Sequence, residues 1–266
     1  MASIVLIYIV VGLGIGFLSG LIGIGGGLIT VPALAWVLTQ QHIADDLVMH
    51  IAIATSLTAI VFTSLAAVKF YHCQKNIVWK AVKILLPGII IGSVIGVIIS
   101  GLLSTHHLRT LFGIFIFIIS FRLLFGEKTN KQTQPLMVRA DWMTHALALT
   151  AGFFAGLLGI GGALIIIPYL LYKNFSMREA SGTAVACSLP IALIGVVSFI
   201  VVSAQIPNLP PFSTGYINWP AVIGISFPSI FSVSLGAKLG SSLSHMHLKK
   251  FFAIFLIFVG INMFYA

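Results

Sequence analysis

Long apolar runs alternate with short polar loops along the whole chain, and the order of runs occurs twice. Ile4 to Ile22 is apolar, breaks at a cluster of glycines, and resumes as Leu28 to Leu38. Three longer runs follow: Ile51 to Phe70, Val78 to Leu103 and Leu108 to Phe125. Each suits a helix across a hydrocarbon core of about 30 Å. After the only long hydrophilic stretch, Gly126 to Ala140, the order returns. Trp142 to Leu158 and Ala163 to Tyr172 flank a second glycine break. The spans Ala180 to Val202, Ile217 to Leu239 and Leu248 to Phe264 complete the chain, with an uncharged, proline-rich loop from Ser203 to Gly215. A membrane β-barrel would instead alternate every second residue. The pattern predicts an all-α integral membrane protein.

The two breaks are copies of each other. Gly16 to Pro32 reads GFLSGLIGIGGGLITVP and Gly152 to Pro168 reads GFFAGLLGIGGALIIIP, with 11 of 17 positions identical at a constant offset of 136. Trp79, Gly96 and Ser104 match Trp219, Gly236 and Ser244 at offset 140, and Thr55 matches Thr183 at offset 128. Each broken unit is too long for one membrane-spanning helix, and its second arm is too short to cross alone, at about 16 Å. The expected form is a helical hairpin that dips into the bilayer and returns. Gly12, Gly16 and Gly20 leave one face of the first arm bare, which lets another helix backbone approach closely.

Charge extends this picture to a topology. If each hairpin returns to the side it entered, one side holds Lys69, Lys75, Lys80, Lys83, Arg122, Lys128, Lys131, Arg139, Lys173, Arg178, Lys238, Lys249 and Lys250, and the other holds Arg109 alone. That is a positive-inside distribution. It gives each half one glycine-broken hairpin plus three transmembrane helices and sets the halves in opposite orientation. The expected units are a first membrane repeat (1–126), a cytoplasmic linker (127–140) and a second membrane repeat (141–266). Both termini then lie outside the cell (inner) membrane, which the chain crosses several times. The fold class is an inverted-topology repeat, the arrangement that serves alternating access.

Composition agrees with the bilayer as partner: the chain is 59% hydrophobic and 7% charged, against about 25% charged in soluble domains. The net charge of +9 follows from the cytoplasmic loops, so nucleic acid is not expected as a partner. Cys73 and Cys187 have no motif spacing, and the histidines form no HExxH-like set, so neither a metal nor another cofactor is expected. No cluster of His, Asp, Glu or Cys suggests catalysis, which argues against an enzyme. A homo-oligomer is left open.

The glycine breaks carry the candidate chemistry. Interrupted hydrophobic segments in corresponding places of two halves point to a transporter's binding site. The second arm starts immediately after the glycines, where unpaired N–H groups and the helix dipole favour an anion. Gly25, Gly26 and Gly27 of one break and Gly161, Gly162 and Ala163 of the other are therefore the predicted substrate contacts. Thr55, Ser56 and Thr183, early in matching spans, offer hydroxyls to complete the shell; helix–helix hydrogen bonding is the competing use of them. Ser181, Cys187 and Ser188 are weaker candidates. The five acids, Asp45, Asp46, Glu127, Asp141 and Glu179, all fall at segment ends, so no mid-membrane carboxylate offers a proton or sodium relay. His50, about one turn from Thr55, and Glu179 are the candidates for a coupling site.

The doubled motif GFLSGLIGIGGG/GFFAGLLGIGGA with its following proline resembles the TauE/SafE sulfite exporter family. So do Thr55-Ser56, the INWP-like start at Ile217 to Pro220, and the LGAKLG run at Leu235 to Gly240. The resemblance covers both halves. It implies a polytopic protein of the cytoplasmic membrane that exports sulfite, sulfoacetate or a related organosulfonate. Uptake of a similar anion such as thiosulfate, coupled to protons or sodium, and an anion channel are the alternatives. The second copy departs from the first with Ala163 at the place of Gly27 and Ala184 at that of Ser56, so the half-sites are not equivalent.

Overall fold

The computed structural model describes residues 2–22, 26–125, 138–204, 209–242 and 245–265. Among these residues the regular structure is helical except for one small β-hairpin. The first half comprises α1 (Ala2–Ile22), α2 (Gly27–Gln40), α3 (Asp45–Cys73), α4 (Trp79–Leu102) and α5 (Thr105–Phe125). The second comprises α6 (Trp142–Leu158), α7 (Ala163–Tyr172), α8 (Met177–Val202), β1 (Ser213–Thr214), β2 (Ile217–Asn218), α9 (Trp219–Ser242) and α10 (His245–Tyr265). Among the described residues four helices, α3, α4, α8 and α9, are long and apolar enough to cross a membrane.

The helix pairing exchanges the halves. The α1 helix packs along α9, and α6, its counterpart, along α4. α3 pairs with α8, α5 with α10, α2 with α3 and α7 with α8. Small residues make the long pairings possible. A methyl group added at Gly12 would lie 2.7 Å from Ile225 O, and one at Gly88 would lie 2.8 Å from His145 O. Gly96 presses on Phe153, and its counterpart Gly236 on Phe17, the residue 136 positions before Phe153. Glycine is required there because any Cβ would meet the facing backbone.

The core lies along α3 and α8. Ile51, Ile53, Leu57, Leu34 and Leu38 are fully buried around α3, and Ala180, Ala184, Cys187 and Ile191 around α8. The outer surface is apolar: Leu102, Phe121, Trp142, Val201, Phe227 and Phe258 are exposed. Contiguous exposed apolar surface of this kind suits contact with lipid.

The proline-rich loop leads into more structure than its sequence suggests. Residues 213–218 form an antiparallel hairpin, with Ser213 paired to Asn218 and Thr214 to Ile217. Gly215 turns it with φ 57° and Phe212 precedes it with φ 60°. Tyr216 and Ile217 are buried against the helices.

Candidate functional site

The better described break is the second. α6 ends at Leu158, and Gly159 takes the left-handed conformation (φ 69°). Its N–H and that of Ile160 both donate to Ala155 O, at 2.9 and 3.3 Å. Only glycine adopts this turn without strain. Gly162 then starts α7, its carbonyl accepting from Ile165 N (3.2 Å) and Ile166 N (3.0 Å). In the first break Gly26 plays the same part, accepting from Ile29 N and Thr30 N, both at 3.0 Å, and from Thr30 Oγ1 at 2.8 Å. Gly25 lies outside the described residues.

Both arms fold back on themselves. A methyl at Gly26 would lie 3.3 Å from Ile15 Cγ2, and one at Gly162 would lie 3.9 Å from Ala151 O; Ala151 is 136 residues beyond Ile15. The open ends are tied as well. Gln41 Nε2 donates to Tyr8 Oη at 3.0 Å, and Thr144 Oγ1 bonds Tyr169 Oη at 2.7 Å. Tyr8 and Thr144 are again 136 apart.

The two breaks touch. A Cβ on Gly27 would stand 3.0 Å from Ile160 Cα and 3.1 Å from Gly159 O. Ser56 Oγ donates to Gly159 O at 2.9 Å, and Ile53 Cα lies 3.0 Å from a Cβ built on Gly159. On the other side, Ser188 Oγ lies 3.1 Å from a Cβ built on Gly161. One face of α3 (Ile53, Ser56, Ile60) thus lies against the junction, with Ser188 of α8 opposite. Neither α2 nor α7 has a side-chain N-cap. Each N-terminus therefore presents first-turn N–H groups and about half a positive charge, and Gly27 and Ala163 there are buried.

The two threonine candidates serve the backbone at the starts of α4 and α9. Thr55 Oγ1 accepts from Asn218 N at 3.1 Å, and Thr183 Oγ1 accepts from Val78 N at 3.0 Å. Residues 78 and 218 share the offset of 140, so the two threonines act alike. Each holds the N–H that precedes a long helix, α9 or α4. A buried N–H without such an acceptor would be costly. Of the candidate hydroxyls, Ser56 and Ser188 reach the breaks. Ser188 is a weak candidate in sequence because only packing, with its Oγ donating to Ala184 O at 3.0 Å, turns it toward Gly161. Sequence reasoning does not find Thr30, although its spacing of four from Gly26 is the available signal.

Neither coupling candidate lies at the tips. Glu179 closes a capping box on α8, its Oε2 accepting from Ser176 N (3.0 Å) and Ser176 Oγ (2.8 Å). His50 is buried at the start of α3, bonded to carbonyls of Asp46, Ser100 and Leu103. Among the described residues no group of three His, Cys, Asp or Glu is placed to hold a metal ion.

Paired broken helices inside an apolar, helix-swapped bundle define a membrane transporter architecture, and the comparisons give the same class. The family model for the sulfite exporter TauE/SafE matches residues 8–263. The chain belongs to the TauE/SafE family. It is 34% identical to a probable membrane transporter protein of Haemophilus influenzae, with 99% of each chain covered. It is 28% identical to the probable membrane transporter protein YunE of Bacillus subtilis over 97% of each, and 28% identical to one from Methanocaldococcus jannaschii over 96% of this chain and 93% of that one. No solved structure matches.

Proposed function

We propose that this membrane transporter exports a small sulfur-containing anion, namely sulfite, sulfoacetate or a related organosulfonate. The anion sits between the two glycine tips near the bilayer midplane, bound by the N–H groups that open α2 and α7. The observation that carries this reading is the contact between Gly27 and Gly159-Ile160, which sets the uncapped N-terminus of α2 against the turn that leads into the uncapped N-terminus of α7. Two half-charges of the same sign, buried beside Ile15, Ile60 and Ile191, favour an anion without any lysine or arginine.

The charge distribution supports inverted repeats at 1–126 and 141–266, with both termini outside the inner membrane and the linker 127–140 in the cytoplasm. The fold-back of both hairpins supports the same parity. With a cell interior negative by about 100 mV, each negative charge gains about 2.3 kcal/mol on leaving, enough to drive export without a coupling ion.

The test is anion flux from proteoliposomes at a clamped potential, with sulfite, sulfoacetate, thiosulfate, sulfate and chloride in turn. Saturable efflux of one sulfur anion, faster when the inside is negative and proceeding without any pH or sodium gradient, is the expected result. Flux that requires such a gradient would replace export by coupled uptake; flux that does not saturate would indicate a channel. Gly26→Leu and Gly162→Leu should each abolish flux in a protein that still inserts, and normal flux in both would remove the tips from the mechanism.

A further inference from the structure

His50 is 5% exposed and has hydrogen-bond acceptors on both sides of its ring. Nδ1 lies 3.0 Å from Asp46 O on its own helix. Nε2 lies 3.1 Å from Ser100 O and 3.1 Å from Leu103 O. Every one of these partners is a carbonyl. A neutral imidazole has one N–H, so either tautomer sets a nitrogen lone pair against a carbonyl oxygen. The imidazolium alone donates on both sides. Ser100 and Leu103 also close α4, whose last carbonyls lack helical partners and carry the negative end of its dipole. The Tyr216 ring stacks on the other face, with centroids 5.1 Å apart.

The repeat supplies an independent indication. The offset that pairs Thr55 with Thr183 pairs His50 with Arg178. The corresponding place in the second half thus carries an arginine, a side chain with donors and no acceptor.

We propose that His50 is a proton-binding site that latches the start of α3 to the end of α4. With the proton bound, the ring joins three carbonyls of two helices; without it, one side of the joint turns repulsive and the α3–α4 corner opens. Of the charged and titratable groups at this corner, Asp46 accepts through its carbonyl from the ring, Tyr216 of the β-hairpin stacks on it, and Asp45 and Asp46 share a cavity with His106 and Arg109 of α5. α2 carries none, and Arg178, Glu179 and Lys238 lie at the far ends of α8 and α9. A cavity of about 360 Å³ lined by Asp45, Asp46, Thr105, His106 and Arg109 opens beside the latch. Asp46 O is shared with Thr105 Oγ1 at 2.7 Å, so the proton on His50 also bears on the turn into α5. The site is separate from the glycine tips and makes conformation, and with it anion movement, depend on pH at this face.

The test uses thiol accessibility in the full chain, so it does not depend on the identity of the anion. Ser100 is buried and its Oγ has no partner among the described residues, so Ser100→Cys places a thiol under the latch without breaking a bond. Native Cys73 is exposed and Cys187 buried. The labelling rate of the introduced thiol divided by that of Cys73 corrects for thiolate formation. Between about pH 5 and about pH 8, where histidine changes charge, this ratio should rise, by up to about tenfold per pH unit for one linked proton. In a His50→Gln background it should be high and flat. In a His50→Lys background it should be low and flat, because an ammonium supplies three donors to the three carbonyls at every pH used. A flat ratio with His50 intact, or a rise that survives in either variant, would overturn the proposal.

Discussion

Gly27→Ala is the smallest change that should disable the junction. Its added methyl would stand 2.9 Å from Ile60 Cδ1, 3.0 Å from Ile160 Cα and 3.1 Å from Gly159 O, all inside ordinary van der Waals contact. Ile60 can rotate away. The other two atoms belong to the opposite backbone, which the left-handed turn at Gly159 and the 2.9 Å bond from Ser56 Oγ hold in place. Overpacking of this kind costs about 1–3 kcal/mol. If the cost falls on bringing the tips together, it corresponds to about a five- to hundredfold loss of anion affinity or flux, at about 1.4 kcal/mol per factor of ten. Gly26→Ala is the control. Its methyl meets only side-chain atoms, the nearest being Ile15 Cγ2 at 3.3 Å, on a backbone already helical at φ −72°, and the lost chain freedom of glycine offsets part of any cost. Initial efflux rates from proteoliposomes and thermal unfolding in detergent should be measured on both variants. The expected result is two proteins of similar melting temperature, of which Gly27→Ala alone is slow. Equal flux in the two, or a slow Gly26→Ala beside a normal Gly27→Ala, would refute the claim that contact between the breaks forms the site.

Thr55→Val removes the acceptor of the buried Asn218 N–H and should lower stability by about 1–3 kcal/mol; Thr183→Val removes that of the half-buried Val78 N–H and should cost less; both are read as a fall in melting temperature, and an unchanged value in both would show that neither bond contributes. Ser176→Ala deletes the cap of α8 and should cost about 1 kcal/mol with little change in flux, since Glu179 acts there in capping; loss of transport at full stability would return Glu179 to the coupling mechanism. Native Cys73 supplies a topology test without mutation: an impermeant thiol reagent should label it in inverted membrane vesicles and spare it in intact cells, and the opposite result would reverse the proposed orientation.

The helical, membrane-embedded class is legible in the sequence, because a slab of about 30 Å of hydrocarbon imposes run length and composition directly on the chain. The two breaks are legible for a similar reason. A chain reversal inside an apolar environment needs glycines, and the duplicated motif marks both reversals. The bare face of Gly12 and Gly16 likewise announces a close helix neighbour, since close backbone approach is what requires glycine at that spacing.

Which helix is that neighbour is decided only by the fold. The partner of α1 is α9, whose contact residue Ile225 lies far along the chain from Gly12, and no local pattern encodes a contact across that separation. The hydroxyls show the same limit. Thr55 and Thr183 look like ligands because they are polar in apolar helices, but polarity does not say what the oxygen faces. In the folded chain it faces the N–H before α9 or α4, groups that must find acceptors once buried. The β-hairpin at 213–218 reads as loop and helix start because its strands are two residues long and its stability comes from docking Tyr216 and Ile217 against the helices. His50 stands out in sequence for its place near Thr55. Its three carbonyl partners, two of them at the end of another helix, exist only once α3 and α4 are packed together. Chain chemistry fixes where a helix runs and where it breaks; which groups meet at the break depends on burial and on partners distant in sequence.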